Sequence, residues 1–157
     1  MEISILFLPL IASIISGFFG KMIGDRNSEI VTSLLVSISA LFSIFVLYQV
    51  IVNQYEENIV IATWINSGSL DVNWSMLIDP LSAVMLVVVT SVSSLVHIYS
   101  IGYMSHDPHK PRFMAYLSLF TFAMLMLVTS DNFIQLFFGW EGVGLCSYFL
   151  IGFWFKK

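Results

Sequence analysis

Charge is the scarcest commodity in this sequence. Only 10% of its 157 residues are Asp, Glu, Lys or Arg, against about 25% in an ordinary soluble domain. Too little charge is available to cover a water-facing surface. Basic runs are absent, which argues against nucleic acid as a partner. There is one cysteine, Cys146, so an internal disulfide and a cysteine-based metal cluster are excluded. Cys146 lies inside an apolar run and reads as a small buried filler. The chain has no phosphate-binding loop, no iron–sulfur or zinc motif and no nucleophile–base pair of readable spacing. No catalytic residue is therefore assigned, and neither a cofactor nor a metal is expected. Internal repeats and low-complexity segments are missing too. The formal net charge of −4 carries little meaning by itself, because only charges near a membrane surface bear on orientation.

Apolar sequence is what the chain has in abundance: 58% of it is hydrophobic and the mean hydropathy is +0.91. The apolar residues come in blocks near the ~20 residues needed to cross a bilayer as a helix. Five spans are expected, about Ile3–Phe19, Ile30–Val52, Leu81–Ile101, Phe113–Thr129 and Asn132–Phe155. The fold class is therefore an all-α integral membrane protein. The first segment opens on Met-Glu-Ile-Ser, which has no positive n-region, so it is expected to be a retained helix and not a leader peptide. Pro9 should kink it locally. Between the second and third spans the pattern changes. Ile59 to Ile65 is rich in β-formers, Asn66-Ser67-Gly68-Ser69 is a turn, and Leu70 to Met76 alternates apolar with polar. Residues 59–78 therefore predict a short external β-hairpin, with Trp64 and Trp74 near the interface.

Span starts carry punctuation. Asp79-Pro80 offers a carboxylate N-cap followed by proline at the first helical position. Ser130 or Asp131 is placed to cap the fifth span in the same way. All basic residues fall on one side: Lys21 and Arg26, Lys110 and Arg112, Lys156 and Lys157. The opposite side carries Glu2, Glu56, Glu57, Asp71, Asp79 and Asp131. The positive-inside rule then places the N-terminus outside and the C-terminus in the cytoplasm or matrix.

Of the charged residues, only Glu141 falls deep within an expected span, in Gly139-Trp140-Glu141-Gly142-Val143-Gly144. A carboxylate at membrane depth is costly and by default faces a protein interior or a water-filled cavity. Two roles fit it, a proton-relay carboxylate and a neutral, hydrogen-bonded acid that locks helices. Gly139, Gly142 and Gly144 are expected to let a neighbouring helix approach closely. His97, preceded by Thr90, Ser91, Ser93 and Ser94, fits a hydrogen-bonded helix interface better than a proton carrier. It is kept as a weaker proton-path candidate. His106 and His109 suit a solvated loop better than a metal site. The tyrosines, tryptophans and phenylalanines near span ends, Phe155 among them, suit interfacial belts.

The run Phe137-Phe138-Gly139-Trp140-Glu141-Gly142-Val143-Gly144-Leu145-Cys146-Ser147-Tyr148-Phe149-Leu150-Ile151-Gly152-Phe153-Trp154 resembles the signature of a known family. The family is the largest antiporter-like subunit of respiratory NADH:quinone oxidoreductase (complex I), called L in bacteria and 5 in mitochondria. Ile78-Asp79-Pro80-Leu81-Ser82, His97-Ile98-Tyr99-Ser100-Ile101-Gly102-Tyr103-Met104 and Arg112-Phe113-Met114-Ala115-Tyr116 are similar to its pattern in the same order. The resemblance covers the chain and is strongest from Asp79 onward. It implies a non-redox membrane subunit that takes part in proton translocation coupled to electron transport and quinone reduction elsewhere in the complex. It implies that Glu141 matches a glutamate of the proton path, paired with a lysine on a later helix. The implied partners are the lipid bilayer and the other membrane subunits, with no direct NADH binding. Family members are longer, so the expectation is an N-terminal part, incomplete alone, in a bacterial plasma membrane or the mitochondrial inner membrane. The alternatives are a subunit of a multi-subunit sodium/proton antiporter and a non-transporting truncated fragment.

Overall fold

A computed structural model describes residues 1–68 and 70–154. The elements run α1 (Glu2–Ile23), α2 (Asp25–Asn53), β1 (Glu57–Ser67), β2 (Leu70–Ile78), α3 (Pro80–Tyr103), α4 (Lys110–Val128) and α5 (Phe133–Ile151), ending in a 3₁₀ turn at Gly152–Trp154. All five α-helices are long and apolar enough to cross a membrane. Ser69 in the hairpin turn, Phe155 at the end of the fifth expected span, and Lys156 and Lys157 lie outside the described residues.

The helices start earlier than the apolar blocks alone suggest, for local reasons. α1 and α2 are separated by Gly24 alone, which is the C-cap of one and the N-cap of the other at φ 88° and ψ 157°. Glycine has no Cβ to oppose a positive φ, so the chain reverses within one residue. The second helix therefore begins at Asp25, five positions before the apolar run at Ile30. α4 likewise begins at Lys110, because Pro111 is tolerated in a first turn, where an N–H has no intrahelical partner anyway.

Pro9 lies inside α1, and the helix runs through it without interruption. Its missing N–H leaves the carbonyl of Ile5 without an intrahelical donor. Ser39 of α2 supplies one, its Oγ donating to Ile5 O at 2.7 Å. Apolar lipid offers no substitute donor, so a neighbouring helix must. The same economy recurs between other helices, where Ser43 pairs with Thr90 at 2.7 Å and Ser37 with Ser94 at 2.7 Å. Small hydroxyl residues allow close helix approach and tie the contact together.

The helices pack α1 against α2 and α4, α2 against α3 and α4, α3 against α4, and α5 against α4 alone. α5 is thus the outermost helix. β1 and β2 form an antiparallel pair from Glu57↔Ile78 to Ser67↔Leu70, with irregularities between Val60 and Ala62 and between Thr63 and Ile65. Met76 and Ile78 of β2 are fully buried in one cluster with Ile5, Val46, Leu86 and Leu125. The hairpin therefore closes one end of the bundle.

One edge of β2 is satisfied by the α4–α5 corner. Leu77 N donates to Thr129 O at 2.8 Å. The fully buried Gln135 side chain accepts from Ser75 N at 3.0 Å and donates to Ser75 O at 2.7 Å. Asn132 Nδ2 donates to Asn73 O at 2.9 Å. Side chains and a helix end here occupy backbone groups that would otherwise form an open sheet edge. Trp64 and Trp74 pack at 4.9 Å between ring centroids, and both contact Phe138 of α5.

Candidate functional site

Glu141 sits near the middle of α5, where an apolar 19-residue helix of about 28 Å nearly spans the ~30 Å hydrocarbon core. Helical periodicity divides α5 into two faces. Gln135, Gly139 and Cys146 are buried and, with Gly142, form the stripe turned to α4. Glu141 falls on the other side with Phe137, Leu145 and Tyr148, which are 62%, 54% and 72% exposed. Its carboxylate makes no hydrogen bond or ion pair among the described residues. Among the five described helices it faces away from α4, on the side of α5 that none of the other four covers.

The three glycines around it divide in the same way. A Cβ on Gly139 would lie 2.9 Å from both Cα and N of Leu127, and one on Gly142 would lie 3.2 Å from Ala123 Cβ. These two let α5 approach α4. At Gly144 nothing in the described chain lies within 4 Å of where its Cβ would be, so it takes no part in the α4–α5 contact. Two residues beyond Gly142, it is turned about 200° around the helix, onto the open side. The glycine run thus packs on one side and leaves free space beside Glu141 on the other.

His97 is fully buried between α3 and α4. Its Nδ1 lies 2.8 Å from Ser93 O, a group that only accepts, so Nδ1 carries the hydrogen. Nε2 then faces Ser118 Oγ at 2.9 Å and accepts from that hydroxyl in the neutral ring. Ser93 Oγ continues to Thr121 Oγ1 at 2.5 Å. The ring is therefore a helix tie with both nitrogens hydrogen-bonded. It shares no contact with Glu141, which points away from α4.

The two caps differ from each other. Asp79 accepts from Ser82 N at 2.6 Å while Ser82 Oγ accepts from Asp79 N at 2.9 Å, a reciprocal capping box. α5 is not capped by Asp131. Its N-cap is Asn132, whose side chain accepts from Gln135 N at 2.9 Å. Asp131 instead accepts from Asn58 Nδ2 at 2.8 Å and Asn132 Nδ2 at 2.7 Å. Its carboxylate ties the hairpin to the α4–α5 turn. Burial acts upward on its pKa, but the Ser75 side chain, these two amide donors and its own backbone N–H together outweigh it and hold the group below the ordinary aspartate value.

Sequence reasoning missed one charged group. Glu29, inside α2, is 4% exposed, and Lys110 Nζ at the start of α4 lies 3.9 Å from its Oε1. The early start of α2 after Gly24 was the signal, because it moves Glu29 from loop into helix. His106 lies in the α3–α4 loop, where His109 N donates to Asp107 Oδ1 at 2.8 Å and Trp154 Nε1 donates to Asp107 Oδ2 at 2.8 Å. Among the described residues, no three His, Cys, Asp or Glu side chains converge.

Comparison with known proteins bears on this arrangement. Residues 64–114 match the family described as NADH-ubiquinone oxidoreductase (complex I), chain 5 N-terminus. Residues 130–157 match the transmembrane family of NADH:quinone oxidoreductase and Mrp antiporters. The chain is 57% identical to NADH-ubiquinone oxidoreductase chain 5 of Marchantia polymorpha over 157 residues, which is 100% of this chain and 24% of that protein. It is 54% identical to chain 5 of Phytophthora infestans over 99% of this chain and 23% of that one. It is 50% identical to NADH-quinone oxidoreductase subunit L of Rickettsia bellii over 100% of this chain and 24% of that one. The chain thus spans about a quarter of the length of these curated relatives. With half or more of its residues identical from end to end across so wide a range of organisms, the chain belongs to the family of NADH-ubiquinone oxidoreductase chain 5 and subunit L.

Proposed function

We propose that this chain contributes to proton translocation in the membrane part of NADH:quinone oxidoreductase, with Glu141 as its proton-relay carboxylate. The observation that carries this reading is the position of Glu141, at mid-span on the uncovered face of the outermost helix, beside the open Gly144. An ionised carboxylate facing hydrocarbon is costly, so the α5 face calls for protein or confined water against it. Further helices carrying a cationic partner would cover it and balance desolvation against charge, the condition for reversible protonation. The chain itself holds no redox chemistry in this reading. It works beside other membrane subunits, in a bacterial plasma membrane or its mitochondrial equivalent, with the basic loops at Lys21, Arg26, Lys110 and Arg112 on the cytoplasmic or matrix side.

His97 belongs to the same reading as an internal polar station, linked by Ser118 and Ser93 to α4. It is a lesser candidate, because its hydrogen bonds already explain its burial.

Glu141→Gln in the full-length protein, in membranes where NADH oxidation drives pumping, tests the assignment. Pumping should fall about tenfold or more while the subunit still assembles. Wild-type pumping by the variant would sink it. A second reading, a sodium/proton antiporter subunit, is favoured by one observation, the match of residues 130–157 to a family that includes Mrp antiporters. Sodium extrusion that persists without NADH would select it.

A further inference from the structure

At the end of the bundle that carries the basic loops, two buried polar atoms have no hydrogen-bond partner, Glu29 Oε1 and Ser33 Oγ. Both residues are more than nine-tenths buried, at 4% and 7% exposure. They are four positions apart on α2, so their side chains lie one turn apart on one helix face. Buried polar atoms are nearly always hydrogen-bonded, to protein or to ordered water. The Lys110 ammonium, 3.9 Å from Glu29 Oε1, is too far for a direct hydrogen bond, which leaves that oxygen to ordered water. We propose that Glu29, Ser33 and Lys110 hold buried water and form a proton inlet on the basic side of the membrane.

The surroundings give the inlet a mouth and a way inward. The Lys110 side chain is 19% exposed, against 5% for Glu29, so the ammonium bridges solvent and the buried carboxylate. At the same end of the bundle a cavity of about 460 Å³ is lined by Ser16, Lys21, Asp25 and the neighbours of Lys110 in sequence, His109, Pro111 and Arg112. Inward, the same face of α2 continues from Ser33 to Ser37, whose Oγ donates to Ser33 O at 2.7 Å and pairs with Ser94 Oγ of α3 at 2.7 Å. Ser43 and Thr90, 2.7 Å apart, prolong the hydroxyl seam between α2 and α3. A proton passes from loop water to the Glu29 carboxylate, giving the neutral acid beside the Lys110 ammonium. Its release into the water at Ser33 restores the carboxylate, so no other reactant is needed. The charged groups that bear on this step are Lys110 from α4 and Asp25 from α2. Lys21 of α1, Arg112 of α4 and His109 before it face the adjoining cavity.

This inference rests on the proton-translocating reading, and its test separates the two. Glu29→Gln and Glu29→Asp are compared with wild type in the full-length protein in native membranes. NADH-driven pumping is measured against the pH of the basic side. Infrared titration in light and heavy water records the carboxyl C=O band in the purified protein. With Gln at position 29, the rate relative to wild type should fall by about tenfold over about two pH units toward alkaline pH, where protons are scarce. The Asp variant should restore most of it, and the wild type should show an exchangeable carboxyl band that the Gln variant lacks. A loss by the same factor at every pH, or no loss, would mean a structural ion pair and overturn the proposal. Should the Gln variant fail to assemble, a Glu29→Asp profile identical to wild type together with no exchangeable carboxyl band would overturn it equally. If Glu141→Gln pumps normally, the proton-translocating reading fails first, and the carboxyl band alone then decides whether water reaches Glu29.

Discussion

At residue scale the glycines of α5 give the sharpest contrast. A methyl group at Gly139 would meet the backbone of Leu127 at 2.9 Å, and backbone cannot move aside as a side chain does. Gly139→Ala is expected to destabilise by about 1–3 kcal/mol through overpacking, read as a lower midpoint in denaturant or heat unfolding. Gly144→Ala meets nothing within 4 Å and gains helix propensity of up to about 1 kcal/mol. It should leave this chain's own folding unharmed or slightly improved. Equal penalties at both positions would contradict the two-faced description of α5. The sequence placed Glu141 at membrane depth because it is the one charge in that apolar run. It did not say which way the side chain points, since a glycine-rich helix with aromatics all round has no clear apolar stripe.

At the scale of elements, the hairpin is held by polar side chains from a helix. Gln135 satisfies both the N–H and the C=O of Ser75. Gln135→Leu keeps the volume but leaves two buried backbone groups unpaired, at roughly 1–3 kcal/mol. Faster amide exchange in β2 than in α1 would register it, and an unchanged β2 would refute the staple. Asp131 adds a pH-dependent tie. Its folded pKa lies below the ordinary value of 3.8, so its stabilisation is complete above that value and is lost as pH falls through the folded one. Proteolysis of the hairpin should therefore rise only in acid, and Asp131→Asn should flatten that rise. The hairpin itself was legible from its alternation. The stapling was not, because Gln135 reads as an ordinary polar residue until the fold brings it against a strand sixty positions away.

For the whole molecule, five spans with a hairpin after the second place the loops at Gly24 and at residues 104–109 at one end and the hairpin at the other. Cysteines introduced at Ser105 and at Asn66, in a Cys146→Ser background, should react with a membrane-impermeant thiol reagent from opposite sides. Ser105 should label from the cytoplasmic or matrix side if the basic loops lie there. Labelling of both from one side would break the topology. Labelling from the reversed sides would overturn the orientation alone.

The sequence by itself determined the solvent, the number of spans, the hairpin and the family. Each follows from local composition or from an unbroken run of residues, and none needs knowledge of what lies across the bundle. The tertiary structure alone decided which groups are buried together. It moved Glu29 from a loop into a helix and set it against Lys110. It replaced Asp131 by Asn132 as the cap of α5 and gave Asp131 to the hairpin. It set Gly144 and Glu141 on the side of α5 away from α4. The physical reason is common to all of these. In a membrane chain nearly every face is apolar, so hydrophobic pattern marks depth but not direction. Direction is set by where small residues let helices meet and by which neighbour satisfies each buried polar group.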